Sequence, residues 1–162
     1  MSVKRIARDA LLTSLALILF IVELQLPPIT PIPGIKLGLA NVVTVAALFL
    51  FGKADAGAIL GLRILLGALF SQSPSTLIYS LAGGAIAFAA LLVMSRVLNE
   101  KQIWAASAIS AVFHNLGQIA AAVLITKTPA LWAYLPVLTA AGTAAGLVTG
   151  FAAQFVVNRT KK

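Results

Sequence analysis

The sequence has no cysteine, so disulfides and thiolate metal sites are excluded. Acidic residues are almost as scarce: Asp9, Glu23, Asp55 and Glu100 are the only four in 162 positions. No two of them stand close enough in sequence to make the paired-carboxylate magnesium site that a diphosphate substrate calls for. His114 is the only histidine, too little for a zinc centre and, with no carboxylate beside it in sequence, poor material for acid–base catalysis. There is no Gly-x-x-x-x-Gly-Lys-Ser/Thr loop, so the chain has no phosphate cradle of its own for ATP. These gaps argue for a binder rather than an enzyme, with no catalytic residue, no metal and no cofactor.

What is present is overwhelmingly apolar. Hydrophobic residues make up 60% and charged residues 10% of the chain, and the mean hydropathy is +1.03, beyond what a water-soluble domain needs. About 20 apolar residues cross roughly 30 Å of hydrocarbon. Breaking the chain at charges, prolines and polar clusters gives six apolar segments, about 9–26, 38–52, 55–70, 76–97, 103–125 and 131–157. The second and third are short and separated only by Gly-Lys-Ala-Asp (52–55). They read as two helices with a tight turn, or as one long kinked segment. The expected fold is therefore all-α: a single membrane domain over residues 1–162, built as a bundle of six transmembrane helices. Lys4, Arg5 and Arg8 before an apolar run imitate a signal peptide, but Glu-Leu-Gln-Leu-Pro-Pro follows where small residues would mark cleavage, so the first helix reads as retained.

The net charge of +8 is explained by its placement. With the N-terminus inside, the inner side receives Lys4, Arg5, Arg8, Lys53, Arg96, Lys101, Arg159, Lys161 and Lys162, against Lys36 and Lys127 outside. Nine against two is a positive-inside bias that puts both termini in the cytoplasm. The basic charge is topological, and no nucleic-acid partner is expected.

Small residues mark helix contacts. Gly142, Gly146 and Gly150 recur every four positions, and Gly57 and Gly61 repeat the spacing once. In lipid such faces let backbones approach closely and gain dispersion contacts; the partner helix belongs either to this chain or to another. Ala10 and Ser14 form a weaker pair of the same kind on the first helix. Trp104, Trp132 and Tyr134 open the fifth and sixth segments and read as interfacial anchors.

Glu23, Arg63 and His114 are ionisable groups within or at the edge of hydrocarbon, where a charge must face the bundle interior, pair, or touch a ligand. Arg63 lies eight residues after Asp55, about 12 Å along a helix and so near mid-membrane. Glu23 stands near the outer end of the first helix, in position to pair with Arg63 or Lys36, as a structural ion pair or as part of a site. Asn41, Tyr79, His114, Asn115 and Gln118 share that outer half. His114 and Gln118 are four apart and share a helix face, while Asn115 turns about 100° aside. As a cluster they mark a ligand pocket. The stretch Leu-Pro-Pro-Ile-Thr-Pro-Ile-Pro-Gly-Ile-Lys-Leu-Gly-Leu-Ala-Asn (26–41) is rich in proline and glycine with one charge, and it suits a rigid lid over an outward-facing pocket.

Taken together, Glu23 before Leu-Gln-Leu-Pro-Pro, Ile-Pro-Gly-Ile-Lys-Leu-Gly-Leu-Ala-Asn (32–41), Arg-Ile-Leu-Leu-Gly (63–67), Tyr-Ser-Leu-Ala-Gly-Gly (79–84), His-Asn-Leu-Gly-Gln (114–118) and Tyr-Leu-Pro-Val-Leu (134–138) resemble, in order and spacing, the heptaprenyl diphosphate synthase component I family, also called the Gx transporter family. That family is similar in turn to the S components of energy-coupling factor transporters. The resemblance implies a multi-pass protein of the bacterial cytoplasmic membrane that captures a small organic solute, such as a vitamin or a quinone or isoprenoid precursor, from outside. It also implies a transmembrane coupling subunit and two cytosolic ATPases as partners, docked through small residues of the first helix such as Ala10 and Ser14. Glu23, Lys36, Asn41, Arg63, Tyr79, His114, Asn115 and Gln118 are the expected solute ligands. The alternative is a non-catalytic membrane helper subunit of a heptaprenyl diphosphate synthase in menaquinone biosynthesis.

Overall fold

The computed structural model describes residues 2–25, 38–70 and 74–161, the last stretch with side chains from residue 77 onward. Those residues form six α-helices: α1 (Val3–Gln25), α2 (Asn41–Phe51), α3 (Lys53–Phe70), α4 (Pro74–Val97), α5 (Ile103–Thr126) and α6 (Leu135–Thr160). Short 3-10 turns at Glu100–Gln102 and Pro129–Tyr134 lead into α5 and α6. No strand occurs among the described residues. Each expected apolar segment becomes one helix.

Local chemistry sets the boundaries. Gly52 separates α2 from α3 with φ +95°, a conformation an L side chain rarely adopts, which settles the 38–70 region as two helices. The break reverses the chain. Asn41 opens α2, Arg63 lies ten residues into α3, and the two side chains hydrogen-bond, so each helix runs about 15 Å away from and back to the same level. At the end of α5, Lys127 takes the left-handed conformation (φ 52°) and Pro129 follows, a helix stop of the αL type.

Among the described residues, three stretches are long and apolar enough to cross a membrane: Leu77–Val97, Glu100–Thr126 and Pro129–Thr160. α2 is apolar but has 11 residues, about half of what a crossing takes. α1 and α3 carry charges within their length, Arg5, Arg8, Asp9 and Glu23 in one and Asp55 and Arg63 in the other.

Packing closes the helices into a ring. α2 touches α3, α3 touches α4, α4 touches α5, α5 touches α6, and α6 returns to α2, with α1 laid against α2 and α3. The close approaches are made by glycine. Gly142, Gly146 and Gly150 are buried and all face α5, so the partner of this stripe is within the chain. A Cβ at Gly146 would stand 2.6 Å from Ala108 Cα, and one at Gly150 2.6 Å from Trp104 Cα. Gly57 touches the Phe88 ring of α4, whereas Gly61 has nothing within 4 Å. Trp104 also stacks on Phe151, ring centroids 5.7 Å apart.

The two ends of the ring differ in chemistry. One end gathers the start of α1, the α2–α3 and α4–α5 connections and the end of α6, and beneath it lies the apolar core, with Ile59, Leu91, Ile103 and Val157 completely buried. At this end Asp55 accepts hydrogen bonds from Arg5 and Arg8, and Arg8 also donates to Asp9 Oδ1 at 2.8 and 3.0 Å. The Arg8 guanidinium lies 3.9 Å from the Phe51 ring centroid. Because Asp55 opens α3 and Phe51 closes α2, this network ties the start of α1 to the α2–α3 turn. Gln154 of α6 does the corresponding job for α5: its Oε1 accepts from Ile103 N–H at 2.9 Å and its Nε2 donates to Glu100 O at 2.6 Å. That satisfies an otherwise orphaned first-turn donor.

Candidate functional site

The opposite end of the ring holds a second set of polar side chains, the ones singled out as candidate ligands. Arg63 projects from α3 and is 7% exposed; Glu23, near the end of α1, is 8% exposed. Asn41 stands at the start of α2, half-buried. Arg63 Nη2 donates to Asn41 Oδ1 at 3.2 Å, and the Glu23 carboxylate supplies the negative charge that acts on the guanidinium. Charges so deep require such compensation, since an isolated ion away from water is very costly. The Phe20 ring covers one side of Arg63, 5.9 Å from guanidinium carbon to centroid, at the outer limit of a cation–π contact. Phe20 in turn fits against Gly67, where a Cβ would meet its ring at 3.0 Å.

The entry to α2 is built around Gly38. Its φ is +70°, its carbonyl accepts from Asn41 N–H at 2.9 Å, and its own N–H donates to Glu23 Oε1 at 2.5 Å. A Cβ here would come within 3.0 Å of Asn41 Nδ2. One glycine therefore holds the end of α1, the start of α2 and, through Asn41, the head of Arg63. One group in this cluster is left over: Arg63 Nε is buried with no hydrogen-bond partner among the described residues.

The second polar group sits between α4 and α5. His114 and Gln118 share a face, as their spacing requires, and both lie against Gly83, where a Cβ would be 2.8 Å from His114 O and 2.7 Å from Gln118 Cγ. Both side chains are half-buried, as is Tyr79 one turn earlier on α4. Asn115 faces elsewhere: it is buried, and its Nδ2 donates to Leu138 O of α6 at 2.6 Å, an interhelical bond beside Gly142. The two groups share a level of the bundle. Ile64, next to Arg63, abuts Gly84, while His114 and Gln118 abut Gly83, so they reach the same turn of α4 from its two neighbours.

The structure thus brings Glu23, Asn41 and Arg63 together, pairs His114 with Gln118, and sets Asn115 on the α5–α6 seam. Lys36 and most of the proline-rich stretch lie outside the described residues. Ala10 and Ser14 lie on the exposed face of α1, where Ser14 Oγ donates to Ala10 O at 2.9 Å. Sequence reasoning missed Phe20, Gly38 and Gly67, whose roles depend on contacts between helices; the α-helical spacing of Phe20 and Glu23 was the available signal. Among the described residues no three metal-ligating side chains converge. Chemically, the Arg63 cluster offers hydrogen-bond donors beside a carboxylate, and among the described residues no nucleophile is poised there against a base.

Comparison with known families bears on what such a site belongs to. The model of the family described as heptaprenyl diphosphate synthase component I matches residues 12–156. The chain belongs to this family. The match covers both polar groups, all four helices from α2 to α5 and most of α1 and α6, and it bears out the resemblance to this family drawn from the motifs. The family's description is that of component I of a synthase, the non-catalytic component, in line with a chain that is not an enzyme. It agrees with the helper-subunit alternative and does not extend to energy-coupling factor transporters. No curated protein matches the chain, and no solved structure does.

Proposed function

We propose that this chain is the non-catalytic, membrane-embedded component of a heptaprenyl diphosphate synthase of menaquinone biosynthesis, and that it holds a small organic molecule at the Arg63 site. The family match over residues 12–156 carries this reading. Three helices able to cross a bilayer support a multi-pass protein of the bacterial cytoplasmic membrane, and the closed ring supports six membrane-embedded helices with α2 reaching part-way. Arg5, Arg8, Lys53, Arg96, Lys101, Arg159 and Lys161 all fall at the end of the bundle away from Arg63, which supports cytoplasmic termini. Glu23, Asn41 and Arg63 form the centre of the proposed site, Tyr79, His114 and Gln118 its second wall, and Asn115 the tie to α6.

One observation favours a second reading. In that orientation the Arg63 cluster lies in the outer half, beyond the reach of cytosolic diphosphates. An S component that captures a solute from outside and docks a coupling subunit and its ATPases through the Ala10–Ser14 face accounts for that placement.

The two readings separate by partner. Purified protein given isopentenyl and farnesyl diphosphates with magnesium should form no product by itself, and should co-purify with a soluble prenyltransferase subunit that does. Recovery of a transmembrane coupling subunit with two ATPases in its place would favour uptake. Product formed by this chain alone would contradict both.

A further inference from the structure

We infer that the Arg63 site takes the uncharged carbonyl end of an apolar molecule and discriminates against diphosphates and other anions. This rests on the reading of the chain as a small-molecule-binding subunit, and it narrows that reading from any organic solute to one chemical class.

The first argument is charge. An unpaired buried arginine would draw an anion, but Arg63 and Glu23 are both more than nine-tenths buried and are joined through Asn41 and Gly38, so among the described residues one negative charge stands against one positive charge. Adding a carboxylate leaves one net negative charge away from water, and adding a diphosphate leaves at least two. Desolvation of such a ligand then has nothing to offset it. Among the described residues of this end no second cation faces the cluster: Lys127 ends α5 and is exposed.

The second argument is hydrogen-bonding capacity. Asn41 Oδ1 is engaged by Arg63 Nη2, and Glu23 Oε1 by the Gly38 N–H. What remains unsatisfied is the Arg63 Nε–H, a buried donor with no acceptor among the described residues. A buried donor left unmade is costly, and one neutral oxygen removes the cost. A carbonyl supplies that oxygen and brings neither charge nor a donor needing its own partner. The third argument is the wall: the Phe20 ring, seated on Gly67, flanks the guanidinium, giving an aromatic face for the ring or chain that carries the carbonyl.

The test uses three probes on the full chain in nanodiscs, by titration calorimetry with empty nanodiscs subtracted: menadione (an uncharged naphthoquinone), 2-naphthoate (the same ring system as an anion) and farnesyl diphosphate. With no cysteine in the chain, menadione has no thiol to alkylate. Menadione should bind the wild type at least tenfold more tightly than either anion. Arg63→Lys, which keeps the charge and lacks the Nε–H fork, should weaken menadione at least tenfold. Glu23→Gln, nearly isosteric, leaves Arg63 uncompensated and should reverse the preference toward 2-naphthoate. The wild-type comparison stands even if a variant fails to fold. Binding of either anion as tightly as menadione overturns the inference and leaves the binding reading intact; so does an unchanged preference in a folded Glu23→Gln. Failure of all three probes to bind overturns the inference and the binding reading together.

Discussion

Gly146→Ala should destabilise the protein even though alanine is the better helix former. The substitution gains about 1 kcal/mol of helix propensity, but the new Cβ would stand 2.6 Å from Ala108 Cα, 2.8 Å from Ala111 Cβ and 3.0 Å from Ser107 O. None of these is the far end of a flexible side chain, so α5 and α6 must separate. Overpacking of this kind costs about 1–3 kcal/mol, and parting the helices also stretches the Ser107–Thr149 contact of 3.2 Å and the Asn115–Leu138 bond. With about 2–4 °C lost per kcal/mol for a chain of this size, the melting temperature should fall by roughly 5 °C. Gly146→Leu should prevent folded protein from accumulating. Gly61→Ala is the control: nothing lies within 4 Å of its Cβ position, so it should be neutral or stabilising. Melting curves of Gly146→Ala and Gly61→Ala in one detergent, with the yield of folded Gly146→Leu, check the order.

Asp55→Asn should release the start of α1. The Asp55 carboxylate is the shared acceptor for Arg5 and Arg8 and is almost fully buried, whereas the two arginines are about a third exposed. Removing its charge leaves the Arg5 and Arg8 guanidinium groups around one neutral amide, with Asp9 the remaining counter-charge and its Oδ2 already unpartnered. The sign of the salt response identifies the cause. Repulsion between partly exposed cations is screened by salt, so the variant should gain stability between low and high ionic strength, while the wild type, held by attraction, should stay level or lose. Faster amide exchange over residues 3–12, with α5 and α6 unchanged, would locate the effect. A variant with wild-type melting and exchange would show that the network contributes nothing, as many exposed ion pairs do.

Some of this was legible in the sequence and some was not. Helix number and limits followed from apolar run length and from Gly52, because membrane-type helices obey simple length and breaker rules. The Gly142–Gly146–Gly150 face declared itself by spacing alone, though its partner did not: that α5 and no other helix fills it depends on three-dimensional closure of the ring. Arg63 and Glu23 stood out because charges in apolar segments are rare. Arg5 and Arg8 did not, since cations before an apolar run are read as topology, and their acceptor lies about 50 residues away. Adjacent residues also parted company: His114 and Gln118 abut α4 while Asn115 bonds to α6, a divergence that 100° per residue predicts but whose targets only packing assigns. Gln154 capping α5 from α6 had no local signature at all.

We propose a small-molecule site around one buried arginine, accompanied by Glu23, oriented by Asn41 and left with one unfilled donor among the described residues. Its most direct test is mass spectrometry of the small molecules that copurify with the full chain, compared between wild type, Arg63→Ala and His114→Ala, each first shown to be folded. An Arg63-dependent, uncharged compound should be present in the wild type, lost from Arg63→Ala and reduced in His114→Ala. The same ligand profile in all three proteins would contradict the account.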